Sequence, residues 1–174
     1  MSAYSRVWVW LFLMPVFGVF LLGQIFLIRI HLSCGMGCFC LESLILARTL
    51  RRATTVGDGW VAGALRDYNG QSEFADRVRA GWREAGRTGN PQTHASVNFA
   101  IGDEHVAECG RRHLAHYYGF KPAYAKLNVD DIITSPQEAR DTVRAYDDLG
   151  FDRLLFHPAV ASLDQVDRLA DAVL

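Results

Sequence analysis

The spacing of apolar and polar residues becomes regular after residue 42 and predicts alternating helices and strands. The first predicted helix carries its apolar side chains on one face: Leu44, Leu46, Leu50, Ala53 and Val56. Gly57 is expected to end this helix as a left-handed C-cap, and a short apolar strand runs from Asp58 to Gly63.

The middle of the chain repeats this order. Ser72 is predicted to cap a second helix that runs to Gly86, residues 95–101 form the next strand, and Asp103 caps a third helix. Helical spacing predicts the side chains that face inward: Phe74, Val78, Trp82 and Ala85, and then Val106, Gly110, Leu114 and Tyr117.

The last part of the chain adds further helices and a third strand. Residues 119–133 form a longer connection with one short helix, and Ser135 to Glu138 is a capping box with proline at the first helical position. That helix stops at Gly150, and residues 152–156 form the third strand. Ser162 to Gln165 repeats the capping-box pattern for the last helix.

Strands that alternate with helices are typical of parallel βα units with right-handed crossovers. The sequence contains three such units, whereas a closed barrel needs eight. The folded part, residues 43–174, is therefore predicted to be α/β. It is either an open three-stranded layer or a piece of a larger structure.

Residues 1–42 form a separate hydrophobic segment. No charge interrupts the chain from Val7 to Ile28, and a helix over residues 7–30 is long enough to cross the ~30 Å hydrocarbon core of a bilayer. We predict a single-pass transmembrane helix; a cleaved signal peptide is the alternative. More positive charge follows the span than precedes it, which places the folded part in the cytoplasm. Without this anchor the protein is expected to be cytoplasmic.

Charge and cysteine content restrict the classes of function. The chain has 18 Lys and Arg against 19 Asp and Glu, so no basic surplus exists for binding nucleic acid. Cys34, Cys38 and Cys40 cluster after the hydrophobic segment, but no second pair of zinc ligands follows them. We therefore predict neither a metal site nor the alternative for this cluster, palmitoylation.

Several short motifs occur in an order that resembles the luciferase-like monooxygenase family. They are Leu50-Arg-Arg-Ala53, Gly57-Asp-Gly-Trp-Val61, Ala100-Ile-Gly-Asp103, Tyr117-Tyr118, Thr134-Ser-Pro136, Ala145-Tyr146 with Leu149-Gly150, and the segment from Leu163 to Ala170. Each fragment is short, and the specificity lies in their shared order along the folded part.

The resemblance implies a (β/α)₈ barrel, or TIM barrel, of which residues 43–174 supply the last three βα units. It also implies an oxidoreductase or monooxygenase that acts on a small-molecule substrate with FMN or the deazaflavin coenzyme F420. Family members typically carry a Gly-Gly-Ser/Thr turn for the cofactor phosphate just before the helix of Leu50. Ser43-Leu-Ile-Leu46 stands there in this chain, so we expect that phosphate site to be missing.

Candidate site residues lie where the strands end. Barrel enzymes place catalytic groups at the carboxyl ends of the strands, so His157 is the candidate catalytic residue, and a histidine pKa suits proton transfer. Gly63 and Ala64 leave the first strand on the same edge and are candidate cofactor contacts. All three also have a structural interpretation as turn residues, and His113 and His116 are interpreted as solvated helix surface.

Two functions remain open from the sequence. The first is a flavin- or F420-dependent oxidoreductase or monooxygenase in a truncated form. The second is a non-catalytic, membrane-anchored remnant or interaction module that self-associates through exposed strand edges. The sharp change near residue 43 also leaves two interpretations of residues 1–42, a genuine anchor or unrelated coding sequence.

Overall fold

A computed structural model describes residues 8–10 and 37–174, with side chains from Leu46 onward. Its helices are α1 (Gly37–Thr55), α2 (Tyr68–Glu84), α3 (Glu104–Tyr117), α4 (Pro122–Asp130), α5 (Pro136–Asp148) and α6 (Asp164–Val173). Its strands are β1 (Trp8–Trp10), β2 (Gly59–Val61), β3 (Gln92–Phe99) and β4 (Arg153–Pro158).

The strands form one parallel sheet in the order β1-β4-β3-β2. β3 pairs with β2 on one side, where His94 lies beside Val61, and with β4 on the other, where Asn98 lies beside His157. β2, β3 and β4 are thus neighbours in the order in which they occur along the chain, which confirms the predicted parallel βα architecture. β1 pairs with the outer edge of β4.

β3 extends further than β2, and its free end pairs with another segment. β2 ends at Val61, whereas β3 continues to Phe99, which forms a parallel bridge with Ile133. The backbone N–H of Ala100 donates to the carbonyl of Ile133 at 2.8 Å, and Ile133 donates to the carbonyl of Asn98 at 3.0 Å. The segment before α5 therefore occupies the place that a longer β2 would take.

Alternation of side chains along β3 and β4 gives the sheet two different faces. The face toward α2, α5 and α6 forms the main core, with these buried strand residues: Ala95, Val97, Phe99, Leu154 and Phe156. The helices contribute Ala75, Ala139, Tyr146, Leu169 and Ala172. The opposite face is more polar, because it carries His94, Ser96 and Asn98 of β3 and His157 of β4.

Three predicted helix boundaries are confirmed. The Asp103 carboxylate caps α3 by accepting from the backbone N–H of Val106 at 3.0 Å. Ser135 and Glu138 form the complete capping box at the start of α5. Gly150, beyond the end of α5, has a φ of 70°, a conformation that favours glycine.

Two other predicted helix ends are wrong. α2 begins at Tyr68 instead of Ser72, because the Asp67 carboxylate accepts from the Gly70 N–H at 3.1 Å and starts the helix earlier. Gly57 has no left-handed conformation. The Gly57 N–H donates to the carbonyl of Arg52 at 2.9 Å. This bond closes the last turn of α1 without a left-handed residue.

The predicted inner faces of the helices are confirmed at most positions. Ala53, Phe74, Val78, Trp82, Ala139, Tyr146 and Leu169 are buried. The prediction is wrong for Leu46, Val56, Ala85 and Tyr117, whose side chains are exposed. Val56 and Ala85 lie past the last residues of their helices, so the 3.6-residue period does not apply to them.

The predicted transmembrane helix over residues 7–30 lies largely outside the described residues. Within it, Trp8–Trp10 forms a strand, so the helix prediction is wrong for these three residues. None of the helices in residues 37–174 has the length and hydropathy to cross a membrane. Cys34 also lies outside the described residues, as do the side chains of Cys38 and Cys40, so the predictions for the cysteine cluster stay predictions.

The buried Gln165 side chain ties α6 to the end of β3. Its amide oxygen accepts from the Ile101 N–H at 2.9 Å, and its amide nitrogen donates to the Ile101 carbonyl at 3.0 Å. This pairing replaces the capping box predicted from Ser162, and α6 starts at Asp164 without a side-chain cap. Gln165 therefore satisfies both polar groups of a buried peptide that lies beyond the sheet.

We expect Gln165→Ala to lower the free energy of unfolding by about 3 kcal/mol, because two buried backbone groups lose their partners. Urea denaturation followed by circular dichroism measures the change. The matched control is Gln137→Ala, whose exposed amide bonds only surface side chains, those of Asp141 and Arg140, with an expected change of about 0.5 kcal/mol or less. Equal effects of the two substitutions would contradict this assignment.

Candidate functional site

The carboxyl edge of the sheet, where β2, β3 and β4 end, is covered by the hairpin of α3 and α4. Ala100 and Ala159, the first residues beyond β3 and β4, pack in one cluster with Leu114 of α3 and with Ile132. Gly110 permits this close approach, because a Cβ there would lie 2.6 Å from the Cβ of Ala100. The hairpin thus lies over the strand ends, where parallel α/β folds carry their functional groups.

His157, the candidate catalytic residue, lies at this edge. It is the second-last residue of β4, on the face opposite the main core, and its register partner is Asn98 of β3. The side chain is exposed to solvent, yet burial of part of the ring by the surrounding protein lowers the pKa of His157 below 6.5. The imidazole is therefore neutral at pH 7 and has one nitrogen available as a proton acceptor.

Asn98 links the strand end to the hairpin. Its amide nitrogen donates to the side-chain oxygen of Asn128 in α4 at 3.1 Å, and Asn128 donates to the carbonyl of Tyr124 at 2.9 Å. Asn98 and Asn128 are 8% and 1% exposed, so both amides are held in the interior. This pair was not predicted from the sequence. The available signal was an asparagine between Val97 and Phe99 in an otherwise apolar strand.

Tyr118 completes the polar group at this edge. Burial, assisted by the neighbouring phenols of Tyr124 and Tyr117, raises the pKa of Tyr118 to about 12, although a bond to Asn98 acts in the other direction. The phenol is therefore protonated at neutral pH. With neutral His157 and the Asn98 amide, it forms a set of uncharged donors and acceptors.

Gly63 and Ala64, the candidate cofactor contacts, follow β2 at the same edge. Gly63 is exposed, and the position of its missing side chain is open space. Its carbonyl accepts from the side chain of Gln71 at 3.3 Å, which holds the loop against α2. The structure thus gives Gly63 a structural role, and cofactor contact at Gly63 and Ala64 stays a prediction.

An ion pair holds the same loop against the segment that follows α4. The Arg66 side chain donates through Nε to Asp131 Oδ1 at 2.9 Å and through Nη2 to the Asp131 carbonyl at 2.7 Å. The backbone N–H of Arg66 donates to Asp131 Oδ2 at 2.8 Å. Two segments far apart in the sequence are therefore fixed to each other beside the candidate site.

Other features of residues 46–174 lie away from this edge. A groove of about 570 Å³ runs between α1 and β2, beside Arg52, Val56 and Trp60. His113 and His116 are exposed on α3, and His113 stacks on Tyr117. Within the described ranges, no three His, Cys, Asp or Glu side chains are grouped as metal ligands.

The family assignment follows from the sequence of the folded part. The model of a family described as luciferase-like monooxygenase matches residues 46–132, half of the chain. The chain belongs to the luciferase-like monooxygenase family. The resemblance inferred from the short motifs is thereby confirmed, and a search of curated proteins finds no match.

One solved structure shows that the fold is shared with an F420-dependent enzyme. An F420-dependent secondary alcohol dehydrogenase, solved with an F420-acetone adduct, matches with a TM-score of 0.53 and 13% identity, over 71% of this chain and 44% of that chain. A coenzyme F420-dependent tetrahydromethanopterin reductase from Methanopyrus kandleri has a TM-score of 0.47 and 14% identity, over 70% and 45%. This chain spans less than half the length of either structure.

The described residues do not fit the cofactor phosphate at the position that the family resemblance indicates. Ser43 to Leu46 lie inside α1, which begins at Gly37 and continues without interruption to Thr55. Their backbone N–H groups are therefore used within the helix and do not form a free helix N-terminus. The expectation that this phosphate site is missing agrees with the backbone of α1.

Two adjacent aspartates provide a test of the ion pair. We expect Asp131→Ala to cost about 3 kcal/mol of unfolding free energy, because it removes the carboxylate that accepts from Nε and from the backbone N–H of Arg66. Asp130→Ala removes only the exposed pair with Lys126 and should cost about 0.5 kcal/mol or less. The side chains of Arg66 and Asp131 are 18% and 26% exposed, against 75% and 56% for Lys126 and Asp130. Chemical denaturation measures the free energy of unfolding of the two variants. A smaller decrease for Asp131→Ala than for Asp130→Ala would contradict this account.

The protonation state of His157 is measurable directly. We expect the ring protons of His157 to titrate with a midpoint below pH 6.5 in an NMR pH series, because burial disfavours the charged form. The unfolded chain then binds more protons than the folded one, so this residue's contribution to stability is complete above about pH 6.5 and falls as the pH drops below it. The His157 signals are assigned by their absence from the spectrum of His157→Gln. A titration midpoint at or above pH 6.5 would show that the ring is not desolvated.

Proposed function

We propose that this chain forms the last three βα units of a luciferase-like barrel and provides part of the substrate side of a flavin- or F420-type oxidoreductase. One observation carries the proposal. β2, β3 and β4 lie parallel and in sequence order, and this order brings His157 beside Asn98 at the carboxyl edge. In barrel enzymes this edge carries the residues that touch the substrate.

The side chains at this edge suit a small-molecule substrate with a polar group. The Asn98 amide and the Tyr118 phenol are uncharged hydrogen-bonding groups, and a neutral His157 accepts a proton near neutrality. The hairpin of α3 and α4 packs on the residues that follow β3 and β4. We assign His157 to proton transfer and Asn98 with Tyr118 to orientation of the substrate.

The cofactor in this proposal is FMN or coenzyme F420, as the family indicates. The residues described here supply no position for its phosphate, so no catalytic step of this chain is derived through it. The cofactor supplies the redox chemistry, and this chain contributes side chains that line the substrate site.

Turnover by the full chain tests the proposal. The chain is purified in detergent micelles because of its hydrophobic residues 1–42, and absorbance follows oxidation of reduced F420 with acetone and of reduced FMN with oxygen, each corrected for the rate without protein. We expect His157→Gln to lower kcat about 100-fold, the usual scale of general acid–base catalysis. His116→Gln, which changes an exposed residue of α3, should leave the rate within about twofold.

Each outcome of this assay bears on the proposal. Protein-dependent oxidation that depends on His157 supports it. Oxidation that His157→Gln leaves unchanged removes His157 from the mechanism. If neither cofactor is oxidised faster than without protein, the catalytic function is rejected.

A second candidate function, a non-catalytic interaction module, is favoured by the free edge of β2. Within the described residues, β2 pairs only with β3, and Val61 on this edge is 53% exposed. Unpaired strand edges associate with other strands. Multi-angle light scattering on the micellar chain and on Val61→Lys distinguishes the two functions, because only self-association through this edge is lost in the variant.

A further inference from the structure

In parallel α/β folds, helix N-termini at the carboxyl edge are the usual positions for a cofactor phosphate. Free backbone N–H groups and the positive end of the helix dipole make such a terminus an anion site. In this chain the terminus before Leu50 does not exist, because α1 is continuous from Gly37. The family match begins only at Leu46, the last residue of the expected turn. Phosphate binding elsewhere at this edge therefore depends on the N-termini of α2, α3, α5 and α6.

The termini of α2 and α3 are closed by aspartates. The Asp67 carboxylate accepts from Gly70, and the Asp103 carboxylate accepts from Val106. Glu104 adds a further negative charge in the first turn of α3. Each carboxylate uses an N–H that a phosphate would need and repels a second anion.

Carboxylates also lie at the starts of α5 and α6, although α6 has no side-chain cap. The Glu138 carboxylate accepts from the N–H of Thr134 at 2.8 Å and of Ser135 at 3.2 Å. Burial alone would raise its pKa, but these two bonds, with the nearby charge of Arg66, hold the pKa of Glu138 below 4.5. It is therefore ionised at neutral pH. The first turn of α6 contains Asp164 and Asp167.

The cations near this edge do not offset these charges. Arg66 is bound by Asp131 through its side chain and its backbone. Arg168 lies beside Gly102 and adds one positive charge near the starts of α3 and α6, against the four carboxylates there, those of Asp103, Glu104, Asp164 and Asp167. Carboxylates therefore dominate the field at the helix N-termini.

We infer that the carboxyl edge of this chain rejects phosphate groups, and that the chain does not distinguish FMN from its phosphate-free counterpart, riboflavin. Three helix N-termini whose N–H groups bond carboxylates, the two aspartates in the first turn of α6 and the uninterrupted α1 together account for this. The inference concerns the phosphate alone, so it stands or falls separately from the proposed catalytic function.

A phosphate titration of the full ¹⁵N-labelled chain in micelles tests it, with inorganic phosphate as the probe and sodium chloride at matched ionic strength as the reference. We expect no saturable shift of the amides at the starts of α2, α3, α5 and α6, or of residues 43–47, up to millimolar phosphate. A saturable shift at any of them overturns the inference. Because this readout involves no flavin and no turnover, an inactive enzyme does not affect it.

A charge-neutral variant tests the electrostatic reason. Asp103→Asn with Glu138→Gln keeps hydrogen-bond acceptors at both termini but removes two charges. We expect saturable phosphate shifts at the starts of α3 and α5 in this variant only. If the variant folds, shown by an unchanged amide spectrum elsewhere, and still shows no phosphate shifts, the carboxylates are not the reason for rejection and that explanation fails.

Flavin fluorescence titration supplies the comparison between the two flavins. We expect the dissociation constants of FMN and riboflavin to agree within about threefold. A phosphate held at a helix N-terminus with charge-assisted bonds would instead favour FMN by about tenfold or more. That preference, if observed with the unmodified chain, contradicts the inference.

Discussion

The parallel pairing of β3 with both β2 and β4 is the constraint on which the rest of the structure depends. Parallel neighbours end at the same edge, so the loops after all three strands meet in one place. Helices must then return the chain on one face, and this leaves the opposite face polar around Asn98 and His157. Asn98 and His157 become neighbours through this geometry, although they are far apart in the sequence.

Packing around this sheet is completed by polar side chains that bind backbone groups. Gln165 satisfies the peptide of Ile101, and Asp131 binds the backbone and the side chain of Arg66. Loops at the carboxyl edge are therefore fixed by specific bonds as well as by the apolar cluster of Ala100, Leu114, Ile132 and Ala159. Buried polar groups that are fully paired in this way specify one arrangement of the loops.

The order of the elements could be predicted from the sequence because it depends on local patterns. The capping box at Ser135 and the cap at Asp103 are local, and both are present. The wrong predictions concern positions where another residue or another partner competed for the predicted hydrogen bond, and the local sequence pattern does not show this competition. Asp67 displaced Ser72 as the cap of α2, and the Gln165 side chain bonds a strand end instead of its own helix.

The site was predictable only in part for the same reason. His157 follows from its position at the end of a predicted strand. Asn98, Asn128 and Tyr118 come together because the α3–α4 hairpin folds over the edge, and no spacing in the sequence signals this. The prediction that Tyr117 of α3 faces inward is wrong, because the end of that helix joins the hairpin and does not pack on the sheet.

The bridge between Phe99 and Ile133 has a consequence for how this edge can vary. Ile133 continues the path of β2 after Val61, so the hairpin that leads to it and the loop after β2 share one boundary. A slip of one residue in that bridge would reverse the sides on which neighbouring residues point and move Asp131 away from Arg66. Length changes in the hairpin are thus coupled to the shape of a loop some sixty residues earlier in the chain, as the 65-residue separation of Arg66 and Asp131 illustrates.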